Sequence, residues 1–95
     1  MLKTELTVSN ELGLHARAAA QLVKCVGTFN SSVALRRPDL GICVDAKSIL
    51  SILTLAATKG TVLEIAIDGD DEKEAMSAIE RSFASGFNEN SVQPS

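Results

Sequence analysis

The chain has 95 residues, 45% hydrophobic and 22% charged, with a formal net charge of -3. That is enough for one domain with a thin core, and the core must be aliphatic, because there is no Trp, no Tyr and only three Phe. An acidic balance without a basic stripe or stacking aromatics argues against nucleic acid as partner. No apolar run approaches the roughly 20 residues of a membrane span.

Charges interrupt the first residues, "MLKTELTVSN", so they read as a strand rather than a signal peptide, and a cytoplasmic location is expected. Leu2, Thr4, Leu6 and Val8 alternate onto one face, the pattern of a half-buried strand. "SNELG" breaks it. From Ala16 the period changes: Ala19, Leu22, Val23 and Val26 follow helical spacing, and Gly27 is a plausible stop. "SSVALRR" and "ICVD" alternate again, and the turn "RPDLG" joins them into a hairpin. "SILSILTL" has helical apolar spacing, with Ser48 as its N-cap. "TVLEIAI" is a strand with Leu63, Ile65 and Ile67 inward. After "DGDD", Asp71 and Glu74 fit a capping box, and Ala75, Met76, Ile79 and Phe83 form one helical face. A single domain over residues 1–88 is expected, with a frayed polar tail over 89–95. The order β-α-β-β-α-β-α predicts an α+β two-layer sandwich with helices on one face of one sheet. Strand order does not follow from these patterns; a ferredoxin-like arrangement and other split βαβ topologies fit equally.

Two cysteines, Cys25 and Cys43, form no CxxC and read as thiols that pack or are incidental. With a single His and two distant Cys, no zinc-type ligand cluster is expected.

The only titratable group suited to neutral pH without a large shift is His15, in "LGLHARAAA". It falls at the N-cap, or one residue before the first turn, of the helix that begins near Ala16. The first N–H groups of a helix lack internal partners and attract an anion. Arg17 adds a forked, permanently charged donor in the same turn. Both features suit a negatively charged group attached covalently to the ring, and a phosphoryl group is the obvious candidate. Alanines at the helix start leave room for a large donor protein. A His beside an Arg is also the pattern of a solvated pair with no role. No Ser-His-Asp arrangement or carboxylate pair stands out for enzymatic work.

"GLHARAAAQLV" resembles the active-site segment of the HPr family, the histidine-containing phosphocarriers of the bacterial sugar phosphotransferase system. "AKSILSILTLAATKGTVLEI" resembles the family's second signature, around its regulatory serine, and "DGDDEKEAMSAIE" resembles its last helix. The similarity runs over roughly residues 2 to 86, in order. It implies an open-faced sandwich: a four-stranded antiparallel sheet, order 1-4-2-3, with three helices on one face. It implies that His15 takes phosphate at Nδ1 from phosphorylated enzyme I and passes it to enzyme IIA domains, with Arg17 supporting the phosphoryl group. It makes Ser48 the counterpart of the serine phosphorylated by HPr kinase/phosphorylase. No cofactor is implied. Three departures stand out: Ala18 where the family usually has proline, Leu12 where many members have a polar residue, and a longer hairpin turn through Arg36, Arg37 and Pro38.

The second helix is unusually apolar. If Ile52 and Leu55 face the sheet, Ile49, Leu50 and Leu53 lie on another side. Either the helix is buried all round, or it carries an exposed docking patch. The resemblance favours docking, with this face and the start of the first helix, Ala16 and Ala20, meeting partners. Lys24 and Lys47 would frame the patch and steer acidic partners, or be ordinary solvated lysines. A monomer is expected. A phosphocarrier, a regulatory paralogue in nitrogen or carbon control, and a ferredoxin-like binding module are the competing functions.

Overall fold

The structure, a computed structural model, describes residues 1–87. The expected boundary at residue 88 and the tail over 89–95 lie outside the described residues. The elements in order are β1 (Leu2–Thr7), α1 (Ala16–Val26), β2 (Ser32–Arg37), β3 (Ile42–Asp45), α2 (Ile49–Leu53), β4 (Val62–Asp68) and α3 (Glu72–Ala84). All strand pairs are antiparallel, and the sheet order is β1-β4-β2-β3. This is the open-faced sandwich implied by the resemblance.

Period-2 alternation decides which face of the sheet is covered. Val33 and Leu35 of β2 and Leu63, Ile65 and Ile67 of β4 are buried under the helices. Their neighbours Ser32, Arg36, Val62 and Asp68 are exposed on the open face. Register is locked by the same pattern, since Leu35 pairs with Ile65 in β4 and with Val44 in β3. A slip by one residue would send every inward side chain to water. The edge strands carry less of the core: Leu2, Leu6, Ile42 and Val44 are only partly buried against it.

The helices close the core with Ala18, Ala19, Leu22 and Val26 from α1, Ile52 from α2, and Ala75, Met76, Ile79 and Phe83 from α3. Val23, expected on the buried face of α1, is only partly buried at its margin. Burying one Ile or Leu side chain contributes about 1.5–3 kcal/mol, so this aliphatic layer is the main source of stability. Phe83 and Phe87 meet edge to face with centroids 4.9 Å apart.

The capping box expected at α3 does not form. Asp71 occupies the N-cap position but makes no side-chain cap bond. Its carboxylate instead accepts from the backbone N–H groups of Asn30, at 2.8 Å, and Ser31, at 2.9 Å, and from the Ser31 hydroxyl. Three donors across the α1–β2 loop outweigh the single N–H at the helix start. Glu72, not Glu74, reaches back, accepting from the Gly69 N–H at 3.1 Å.

Candidate functional site

His15 is presented by a loop that is tied down before the helix begins. Asn10, fully buried, donates from Nδ2 to the Gly13 carbonyl at 2.7 Å, and the Gly13 N–H returns to the Asn10 carbonyl at 3.1 Å. Gly13 has φ +67, and a Cβ there would sit 2.4 Å from the Ala57 carbonyl oxygen, so a side chain is excluded by conformation and by space. That close approach lets the Leu14 N–H donate to the Ala57 carbonyl at 2.8 Å. Leu14 is then buried, and the next residue, His15, is partly exposed.

His15 is the N-cap of α1. Its carbonyl accepts from the Ala19 N–H at 2.8 Å, and its Nδ1 accepts from the Arg17 N–H at 3.2 Å. An Nδ1 that accepts has its lone pair free of a proton and directed at the amide end of the helix. The helix start therefore supplies both a backbone donor and the positive end of the dipole to the same ring nitrogen. Arg17 is exposed, and among the described residues its guanidinium makes no hydrogen bond or ion pair. Ala16 and Ala20 are exposed beside it, whereas Ala18 is buried.

α2 packs against α1. Ile52 and Leu55 are fully buried, while Ile49, Leu50 and Leu53 are 37%, 74% and 36% exposed, so the second helix is not buried all round. Ser48 caps α2, its Oγ accepting from the Ser51 N–H at 3.3 Å. Lys24 is exposed in the last turn of α1. Lys47 is exposed too, but its ammonium also donates to the Phe29 carbonyl at 3.2 Å, a structural contact that the sequence did not reveal. Leu12 is 67% exposed in the loop before His15.

Asn10, Gly13 and Ala57 position the histidine and escaped the sequence reading. Gly13 carried a weak signal, a glycine two residues before the His. Its partner lies 44 positions away, which local patterns do not register. Among the described residues, no group of three or more His, Cys, Asp or Glu could hold a metal ion, and no helix is long and apolar enough to cross a membrane. Cys25 is partly buried, Cys43 is exposed, and both are free thiols.

A family model described as the PTS HPr component phosphorylation site matches residues 2–85. The phosphocarrier protein HPr of Xylella fastidiosa (strain Temecula1) is 49% identical, covering 94% of this chain and 98% of the relative. The phosphocarrier protein NPr of Proteus mirabilis is 42% identical, covering 88% and 92%. The crystal structure of an HPr from Thermoanaerobacter tengcongensis superposes with a TM-score of 0.88 at 35% identity, covering 94% and 98%, and a dimeric structure of HPr from the same organism with a TM-score of 0.72 at 34%, covering 92% and 98%. With a family model over nearly the whole chain, a near-full-length relative at 49% identity and the same fold, the chain belongs to the HPr family of phosphocarrier proteins of the phosphotransferase system.

Proposed function

We propose that His15 accepts a phosphoryl group from phosphorylated enzyme I and passes it to enzyme IIA domains in sugar uptake. The observation that carries this is the Nδ1 lone pair of His15, aimed at the N-terminus of α1, where it accepts from the Arg17 backbone N–H. In the transfer, Nδ1 attacks phosphorus in line, a P–N bond forms here, and the P–N bond to the donor's histidine breaks with its electron pair returning to the donor ring. The Arg17 N–H, released from Nδ1, is placed to donate to a phosphoryl oxygen, and the guanidinium neutralises charge that spreads over the oxygens in transit. The second transfer reverses these roles with a IIA histidine as acceptor. The chain carries the group and depends on its partners for loading.

Docking is assigned to Ala16, Ala20, Lys24 and Lys47 with Ile49, Leu50 and Leu53. An exposed apolar patch next to the helix that bears the nucleophile supports this. Ser48 is proposed as a regulatory site for an HPr kinase/phosphorylase, since a phosphate there meets the start of α2. The working form is read as a cytoplasmic monomer, which sedimentation of the purified chain checks.

The decisive experiment incubates the chain with enzyme I and phosphoenolpyruvate and reads intact mass. Gain of one phosphoryl group by the native chain and none by His15→Ala supports the proposal; no gain by the native chain refutes it. The NPr relative favours one second reading, a paralogue in nitrogen or carbon control. Rates of onward transfer to sugar-specific and to nitrogen-type IIA domains separate the two.

A further inference from the structure

The β2–β3 turn and the loop that presents His15 are far apart in sequence. One side chain links them. Arg37, at the end of β2, has a side chain that is only 17% exposed. Its Nη1 donates to the carbonyls of Leu55, at 2.7 Å, and Ala56, at 3.1 Å. Its Nε donates to both carboxylate oxygens of Asp39, at 3.0 and 3.2 Å, so the guanidinium is held from the turn side as well. A cation at the carbonyl end of a helical segment also matches the dipole.

The segment that Arg37 holds does not hold itself. Ala56 has φ +48, in the left-handed region that an alanine rarely adopts. It directly precedes Ala57, whose carbonyl accepts from the Leu14 N–H at 2.8 Å and rests against Gly13. The peptide bonded to Arg37 through the Ala56 oxygen is the peptide that leads into Ala57. A continuous path therefore runs from Asp39 through Arg37, Ala56, Ala57 and Leu14 to His15.

We propose that Arg37 is a positioning residue for His15: it pins the Leu55 and Ala56 carbonyls, keeps Ala56 in its left-handed conformation, and so fixes the Ala57 carbonyl on which the His15 loop is hung. This deepens the phosphoryl-carrier reading and rests on it. The apolar patch on α2 does not pass through this path, so binding and chemistry should respond differently.

The test uses the full chain with enzyme I and phosphoenolpyruvate, well below the melting temperature of each variant. Arg37→Met keeps the apolar stem and removes every donor. Its maximal transfer rate is expected to fall ~5–20-fold, in line with the sensitivity of transfer chemistry to small misplacements, while KM for enzyme I changes less than about twofold. Arg37→Lys, which retains a donor at the tip, should recover part of the rate. Adding Ala56→Gly to Arg37→Met should recover part as well, because glycine adopts the positive φ without the steric cost that alanine carries there. In Arg37→Met, exchange of the Leu14 amide should accelerate at least about tenfold as its bond to Ala57 opens. Unchanged transfer in a folded Arg37→Met overturns the proposal, as does a KM effect without a rate effect. If Arg37→Met does not fold, Arg37→Lys decides: full native rate with native Leu14 exchange overturns it, and a slowed rate with faster exchange supports it. The exchange measurement needs no phosphoryl donor. A native chain that enzyme I does not load would therefore refute the carrier reading while leaving the tether to be judged at Leu14.

Discussion

At the scale of single residues, the proposed chemistry rests on one ring nitrogen and one guanidinium. His15→Ala should abolish phosphoryl acceptance and leave the fold intact, because the side chain is partly exposed at a helix end. The adduct on the native chain should be acid-labile and alkali-stable, as a phosphoramidate is; an acid-stable adduct from enzyme I would point to a hydroxyl. Arg17→Ala should slow transfer by ~10²-fold, comparable to losing one donor at a developing anion, with little change in melting temperature. Arg17→Lys should restore only part, since the fork is lost. Rapid-quench transfer from phosphorylated enzyme I compares native, Arg17→Ala and Arg17→Lys chains, and equal rates would reduce Arg17 to a solvated charge.

At the scale of the elements, the starts of α1 and α2 set the behaviour. Ala18 is the third residue of α1, and among the described residues no hydrogen bond uses its N–H. Proline there removes nothing and restricts the unfolded chain, so Ala18→Pro should keep transfer and gain ~0.4–1 kcal/mol in urea denaturation. Ala18 is only 1% exposed, so a ring that the core rejects would show as a loss of stability instead. At α2, Ser48→Asp should preserve the cap and place a charge beside the exposed Ile49 and Leu50. Its expected signature is unchanged stability with loading by enzyme I slowed several-fold below saturation, because a partner that covers the patch meets a desolvated carboxylate. Native loading kinetics would leave Ser48 as a cap alone.

At the scale of the whole molecule, the Asp71 clamp joins the α1–β2 loop to the start of α3. The Ser31 hydroxyl first, then the Asn30 N–H, hold its carboxyl below the usual aspartate range. The Gly69 N–H does the same for Glu72. A carboxyl whose folded value is depressed adds stability above its unfolded value and loses it as pH falls through the folded one. The urea midpoint should therefore drop on acidification below about pH 4. Asp71→Asn should lower the midpoint at neutral pH and flatten that acid decline. Parallel pH profiles for native and variant protein would show that the clamp contributes nothing to acid sensitivity.

What the sequence determined by itself is whatever one element carries alone. Alternation in β1, β2 and β4, helical spacing in α1 and α3, and the caps at His15 and Ser48 are local signals, because strand and helix periods act over a few residues. The resemblance in "GLHARAAAQLV" extended that reading to the chemistry proposed for His15 and to the strand order, which periodicity left open. Tertiary structure decided the rest. Asp71 looked like half of a capping box until the fold brought Asn30 and Ser31 within reach and offered three donors in place of one. Arg37 looked like part of a long turn until the sheet placed it under the carbonyls of Leu55 and Ala56. Gly13 needed Ala57 to explain it. Hydrogen bonds between segments 18 to 43 residues apart leave no periodic trace, because their partners meet only after the sheet has closed.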